Sequence, residues 1–258
     1  MSDFTEIRYE ELGRVGVITI DRPHARNALT FTTYDEIQRA VEQTEAWCLV
    51  ITGTDPAFCS GDDVKQVMTK VADRPVPADS SPRITPLAGA LLKTDVPIIA
   101  AVNGAAVGWG MELALFADIR IASAKARFGE LFVKRGLCCD VAGIGLLADI
   151  VGREAAAELL FTGRLIDASM ASEVGLVSKV VPHVDLMATA LHLAAEIAAN
   201  PPLAVQRIKA GLRKANGIDW EELGAWVTAS LCELFQTEDH KEGVTSFLEK
   251  RPATFVGR

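Results

Sequence analysis

Ala101-Val-Asn-Gly-Ala-Ala-Val-Gly-Trp-Gly-Met-Glu-Leu-Ala-Leu-Phe-Ala-Asp118 opens as an apolar strand, passes through small residues and enters a helix at Gly108-Trp109-Gly110. Glycine at a strand-to-helix junction lets another group approach the backbone closely. The first turn of a helix carries N–H groups without intrahelical partners, and its positive dipole end favours an anion. Glu112 falls in that first turn, where the same field stabilises an acid. Taken alone, the segment is an ordinary tight turn with a first-turn charge.

A second segment repeats the arrangement. Trp47-Cys-Leu-Val-Ile-Thr-Gly53 is a continuous apolar run closed by glycine, and Ala57-Phe-Cys-Ser-Gly-Asp-Asp63 follows it with a small residue and glycine at a turn that opens a helix. Two such turns, each after a buried strand of one sheet, can aim two backbone N–H groups at one oxygen. That is the geometry of an oxyanion hole, where loss of one donor costs about 3 kcal/mol in the transition state.

Outward from these turns the chain alternates strands and helices. Val15–Ile20 is β-branched and partly alternating, Ile98–Val102 follows Pro97, and Ile119–Ala122 is a short further strand. Thr32 or Thr33 is placed to cap a helix running to about Gln43. Residues 70–86 carry four prolines with Asp, Ser and Arg and read as a surface loop, since the strand-helix pattern resumes on both sides. After Val141 helices dominate (144–151, 153–161, 167–173, 185–199, 202–215 and 220–237), interrupted by a strand at Val177–Val181. Strands separated by helices predict an α/β fold of stacked ββα or βα units. Residues 1–199 are expected to form the core and residues 200–258 a C-terminal helical region.

Composition narrows the function classes. At 258 residues and 49% hydrophobic content the core is large enough to need no disulfide or metal. A net charge of −8 without a basic run removes the electrostatic footprint of nucleic-acid binding. No apolar stretch reaches a membrane span, and the N-terminus shows no leader pattern, so a cytoplasmic location is expected. Five cysteines without a CxxC pair and four scattered histidines suggest neither a zinc site nor a disulfide framework. Vicinal Cys138-Cys139 read as small buried thiols.

The motifs in order resemble the enoyl-CoA hydratase/isomerase (crotonase) superfamily over essentially the whole chain. They are Asp21-Arg-Pro-His-Ala-Arg-Asn-Ala-Leu29, Ile51-Thr-Gly53, Ala57-Phe-Cys-Ser-Gly-Asp-Asp63 and Pro97-Ile-Ile-Ala-Ala-Val-Asn-Gly104. Gly108-Trp-Gly-Met-Glu112, Ala126-Arg-Phe-Gly-Glu130, Leu165-Ile-Asp-Ala168, Gly175-Leu-Val177 and Phe247-Leu-Glu-Lys-Arg251 complete the set. The resemblance implies a crotonase-like spiral of ββα units whose C-terminal helices trimerise, as a homotrimer or a dimer of trimers. It also implies an acyl-CoA thioester substrate with no cofactor beyond that CoA. The thioester carbonyl is expected between the backbone N–H groups of Ser60 and Trp109, where an enolate or tetrahedral adduct is stabilised. Trp109 stands where the family usually has Gly, so its indole is expected to fill or wall part of the acyl pocket.

A hydratase of this family uses two glutamates. The first matches Glu112; the second falls on Phe132, which cannot move a proton. Asp140 matches a position where several members carry a working carboxylate and is expected to be the second catalytic group, or an N-cap for a helix beginning near Val141. Glu130 is expected to be structural. Arg26, Ala28, Gly61, Asp63, Phe132 and Lys250 are the expected substrate and CoA contacts, with Arg22 and Arg251 as neighbouring cations and Asp63 as a helix-start residue. His24 is read as a surface residue, and Trp220 and Trp226 as packing or trimer contacts. Hydration of a 2-enoyl-CoA and isomerisation of a 3-enoyl-CoA both remain open. So do thioester hydrolysis or dehalogenation through Asp140, and a catalytically silent CoA-binding homologue.

Overall fold

The computed structural model describes residues 4–63, 66–67, 84–140, 142–215, 233 and 236–258, without the side chains of 244, 247 and 248. Aliphatic runs build two sheets. The larger has six strands in the order β1 (Ile7–Leu12), β2 (Val15–Ile20), β3 (Cys48–Gly53), β5 (Ile98–Val102), β7 (Ile119–Ser123) and β10 (Lys179–Val181). The smaller has four, in the order β4 (Ala57–Cys59), β6 (Ala105–Val107), β8 (Arg127–Gly129) and β9 (Ile166–Asp167). In each sheet the pairing is parallel except at one edge, where β1 opposes β2 and β9 opposes β8.

The helices in chain order are α1 (Phe31–Gln43), α2 (Pro86–Lys93), α3 (Trp109–Leu115), α4 (Leu147–Val151), α5 (Arg153–Thr162), α6 (Ala168–Glu173), α7 (Leu186–Ala198), α8 (Pro202–Lys214) and α9 (Glu238–Glu249). Each of β3, β5 and β7 lies in the large sheet and is followed by a short strand in the small one. Helices α2 and α3 then return the chain to the next large-sheet strand. This is the expected spiral of ββα units.

The period of two along the strands explains why both faces of the large sheet are buried. Ile18, Ile20, Leu49, Ile51, Ile98 and Ala100 join one core, while Val15, Val17, Cys48, Val50, Ile99 and Ala101 join the other. Helix α7 covers the second face with Leu186, Ala190, Ala194 and Ala198, a small-residue stripe at i,i+4 that lets it lie close to the sheet. Of the C-terminal region, α8 packs back on the core. The Lys209 ammonium reaches Val96 O at 2.8 Å and Asp118 at 2.8 Å.

Several expectations change in detail. Helix α1 is capped by Thr30, not Thr32 or Thr33; Thr30 Oγ1 accepts the Thr33 N–H and the Thr33 hydroxyl accepts the Thr30 N–H. Strands β1, β4, β6, β8 and β9 are not foreseen by the sequence reading; β4, β6 and β8 are only three residues long, and β9 takes Asp167 from the start of the expected helix. The strand expected over Val177–Val181 begins at Lys179. Asp140 does not begin a regular α-helix: a π-helical turn over Ala142–Leu146 precedes α4, and the Asp140 carbonyl accepts the Ile144 N–H at 3.1 Å. Cys138 is exposed rather than buried, and it and the half-buried Cys139 are free thiols. Most of the loop expected over 70–86 and most of the helix expected over 220–237, with Trp220 and Trp226, lie outside the described residues.

One contact sets how closely α3 approaches the small sheet. A Cβ at Gly110 would sit 2.1 Å from Cys59 O, so only glycine allows the helix to rest on β4. Gly110→Ala is expected to destabilise the fold by about 1–3 kcal/mol through overpacking, read as a lowered thermal midpoint. Gly89→Ala in α2 is the control, since a Cβ there meets nothing within 4 Å. Equal midpoints for the two variants would contradict the assignment.

Candidate active site

The two turns identified in the sequence follow β4 and β6, which are adjacent parallel strands of the small sheet, with Ala57 opposite Ala105. Gly108 enters α3 at φ +53°, a conformation that favours glycine, and its N–H donates to Gly129 O at 2.9 Å. Trp109 is therefore the first helical residue, where an N–H has no intrahelical acceptor. Gly61 lies against it: a Cβ at Gly61 would be 3.4 Å from the Trp109 nitrogen.

The partner turn presents a different amide from the one expected. The Ser60 N–H donates to Arg26 O at 3.2 Å. Leu29 N–H donates to Gly61 O and Asp63 N–H donates to Leu29 O, both at 2.8 Å, which makes Asp62 the bridging residue of a parallel pair. In such a pair the bridging residue's own N–H points away from its partner strand. Among the described residues the Asp62 N–H has no hydrogen-bond acceptor. Asp62, Gly61, Ser60, Gly108, Trp109 and Phe132 share the lining of one cavity of about 430 Å³.

The Trp109 side chain is buried in the core edge-on to Tyr34, with ring centroids 4.9 Å apart, and also contacts Phe116. Tyr34 in turn donates its O–H to Asp62 Oδ1 at 2.6 Å. Burial, first, and the Asp140 charge raise the Asp62 carboxyl above its usual range, against the lowering effect of the Tyr34 bond.

Glu112 is fully buried one turn into α3. Its Oε1 accepts the Asp140 N–H at 2.6 Å, and the N–H groups of Ala142 and Gly143 face the same carboxylate. The π-helical turn widens the backbone here and supplies those donors. Oε2 is buried and has no hydrogen-bond partner among the described residues. Burial, and after it the Asp140 charge, raise this carboxyl to about 7 despite the backbone bonds. Asp140 itself is half-buried, and its backbone holds Glu112.

Glu130 is also buried, and neither of its oxygens has a hydrogen-bond partner among the described residues. Burial, with the Glu112 charge second, pushes it up to about 9. Phe132 is half-buried beside the helix mouth: a Cβ at Gly108 would be 3.8 Å from its ring. It lines the first cavity and also a second, of about 430 Å³, with Glu130, Leu137, Cys139, Ile144 and Phe161.

The expected CoA contacts separate into two groups. Ala28, Gly61, Asp63 and Phe132 line the first cavity. Arg26 is exposed at φ +52° in the adjoining loop, and Lys250 is exposed and lines neither cavity. The tail after Lys250 packs against Arg14 and Trp47 at the starts of β2 and β3, the end of the sheet opposite the turns. Arg22 is buried and paired with Glu6 at 3.2 Å and Asp63 at 3.3 Å, so it braces the loop instead of facing a ligand. Asp63 also accepts the Gln66 N–H, in keeping with a helix-start role. Arg251 is paired with Glu242 and Glu249.

Sequence reasoning missed Asp62, Tyr34 and Arg135. Arg135 is the one cation among the described residues that line the first cavity. A chain of Ser123, His183 and Asp55, each contact 3.0 Å, has the composition of a nucleophilic triad. Ser123 is fully buried and its oxygen accepts the Lys125 N–H, so the chain ties loops together. Among the described residues no group of three or more His, Cys, Asp or Glu is arranged to hold a metal ion, and no helix is long and apolar enough to cross a membrane.

Comparison with known proteins shows the family and the fold. Residues 10–258 match the family described as Enoyl-CoA hydratase/isomerase. A short-chain-enoyl-CoA hydratase of Clostridium acetobutylicum is 35% identical over 96% of this chain and 97% of its own length. A 2,3-dehydroadipyl-CoA hydratase of Escherichia coli is 34% identical over 95% and 96%. An enoyl-CoA hydratase subunit from Geobacillus kaustophilus superposes with a TM-score of 0.89 at 35% identity, covering 100% of both chains. The chain belongs to the enoyl-CoA hydratase/isomerase family.

The raised carboxyls have a consequence for stability. In the native state Glu112 and Glu130 hold protons up to about pH 7 and 9, whereas in the unfolded chain they release them near 4.5. Between those limits the native state binds more protons, so stability falls as pH rises. Thermal midpoints are expected to decline from about pH 4.5 up to about pH 9, and to decline less in Glu130→Gln. The same slope in both proteins would contradict the burial of an unpaired Glu130.

Proposed function

We propose that this protein acts on an enoyl-CoA thioester and moves the double bond between C3 and C2 through an enolate. The observation that carries the reading is the Glu112 carboxyl. One of its oxygens is held by backbone N–H groups and the other is unpartnered among the described residues, on a residue in the first turn of α3. A base of this kind works best with a pKa near the working pH, and burial raises Glu112 to about 7.

In this reading the thioester oxygen lies between the N–H groups of Trp109 and Asp62. Charge develops on that oxygen as Glu112 takes the Cα proton, and the two donors with the positive end of α3 stabilise it. Asp62 replaces Ser60 as second donor because the Ser60 N–H already has an acceptor. Asp140 orients Glu112 through its N–H and keeps its proton affinity high through its charge. Phe132 favours isomerisation over hydration, since hydration needs a polar group to hold and activate water and an apolar ring stands there.

Arg135, which lines the first cavity, is suited to the phosphates of CoA, with exposed Arg26 on the adjoining loop beside cavity-lining Ala25, while Lys250 belongs to the proposal only through a neighbouring copy. Assembly as a homotrimer or dimer of trimers is part of the same reading, supported by the exposed apolar side chains Ile208 and Leu212 on α8. No cofactor beyond the substrate's CoA is required by these steps. Hydration of a 2-enoyl-CoA is the second reading, favoured by the names of the relatives.

Purified protein is expected to convert 3-hexenoyl-CoA to the conjugated 2-enoyl product faster than it hydrates crotonyl-CoA. Glu112→Gln is expected to lower kcat by about 10²-fold or more with KM little changed. Hydration as the faster reaction would favour the second reading, and a fully active Glu112→Gln would remove Glu112 from the chemistry.

A further inference from the structure

We propose that Glu130 is the second proton-transfer group of this site, an acid facing the far part of the acyl chain where Phe132 provides none. The proposal rests on the enolate reading above. Its starting point is placement: Glu130 follows β8 directly, and Gly129 O holds the Gly108 N–H at 2.9 Å. Residue 130 is thereby fixed beside the mouth of α3. Phe132, two residues on, lines both cavities, so an acyl chain leaving the Asp62 and Trp109 amides passes its ring into the second one.

Glu130 is the only carboxylate among the described residues that line that second cavity, whose other walls include Leu137, Ile144 and Phe161. It is 1% exposed, and neither oxygen has a hydrogen-bond partner among the described residues. A structural carboxyl at such a position is ordinarily tied to a donor or a cation. One left without either is held as the neutral acid, with its O–H available. The charge that bears on it is that of Glu112 on α3, and Glu130 in turn raises the Cys139 thiol on the loop before the π-helical turn. Lys134 and Arg135 on the intervening turn are exposed, and α5 contributes Leu160 and Phe161 to that cavity.

The step balances without a further reactant. Glu112 takes the proton from Cα of the 3-enoyl thioester, and the C–H electron pair passes into the dienolate. Collapse of the dienolate forms the Cα–Cβ double bond, while Cγ takes the proton from Glu130 and the O–H pair stays on that carboxylate. The substrate has lost and gained one proton; the enzyme resets when one proton passes from Glu112 to Glu130. Burial raises both carboxyls, and Glu130, which unlike Glu112 has no backbone N–H to hold its charge among the described residues, is the one favoured in the protonated form. Environments that push two nearby carboxyls apart in this way mark an acid and a base.

The test uses the full chain with Glu130→Gln and Glu130→Leu, each checked by thermal unfolding. Two rates are read: isomerisation of 3-hexenoyl-CoA, and exchange of the α-protons of butyryl-CoA in deuterium oxide, which needs only Glu112 and the two amides. Both variants are expected to fold at least as stably as the parent and to lose about 10²-fold in isomerisation with a much smaller loss in α-exchange. The decline of kcat above about pH 9 in the parent is expected to be absent from the residual activity. Isomerisation near the parent rate in Glu130→Gln, or equal losses in both reactions, would overturn the role of Glu130. Absence of α-exchange in the parent would instead overturn the enolate reading, and this proposal with it.

Discussion

The close approach of α3 to β4 is the constraint on which the rest of the site depends. Gly110 rests on Cys59 O, and Gly108 turns the chain through a left-handed conformation immediately before it. Together they set the first helical N–H beside the Gly61–Asp62 turn, and one turn later they bury Glu112. The same packing joins the two sheets, since β4 and β6 are neighbours in one and extend from β3 and β5 in the other. Fold and site therefore share a single set of contacts, and neither sheet is independent of the chemistry.

The electrostatics follow from that burial. Asp62, Glu112 and Glu130 are all raised, and in each case burial is the largest cause. Arg22, the buried cation nearest the loop, is already paired with Glu6 and Asp63 and brings none of the three down. Such an arrangement weakens the native state at neutral and alkaline pH, yet it keeps carboxyls in the proton-transfer range. The orphaned oxygens of Glu112 and Glu130 belong to this cost: groups that hydrogen-bonded fully to the protein would have less capacity left for a substrate.

Much of this was legible in the sequence, for identifiable reasons. The long apolar runs at 15–20, 48–53 and 98–102 announced the central sheet, and the glycines at 108 and 110 with Glu112 announced the helix mouth. Strands of three residues in the small sheet leave too short a pattern to show a period, so β4, β6 and β8 were invisible although they aim the turns. The choice between Ser60 and Asp62 depended on which amide pairs with the Arg26–Leu29 loop, a contact between segments more than thirty residues apart. Glu130 reads as structural because the resembled family usually has a non-catalytic polar residue at that place; its burial without partners shows only in the folded chain. The reading of Phe132 in place of a glutamate comes from the family resemblance, not from any local pattern in the chain.

The central claim is that an acyl thioester lies with its oxygen on the Trp109 and Asp62 amides and its Cα against Glu112. A crystal structure with the non-reacting analogue acetoacetyl-CoA tests this most directly. The account predicts the thioester oxygen at about 2.7–3.1 Å from both nitrogens, with Glu112 Oε2 facing Cα and the distal acyl atoms beyond Phe132 toward Glu130. A thioester oxygen held by Ser60 or by solvent, with Glu112 turned away from Cα, would contradict it.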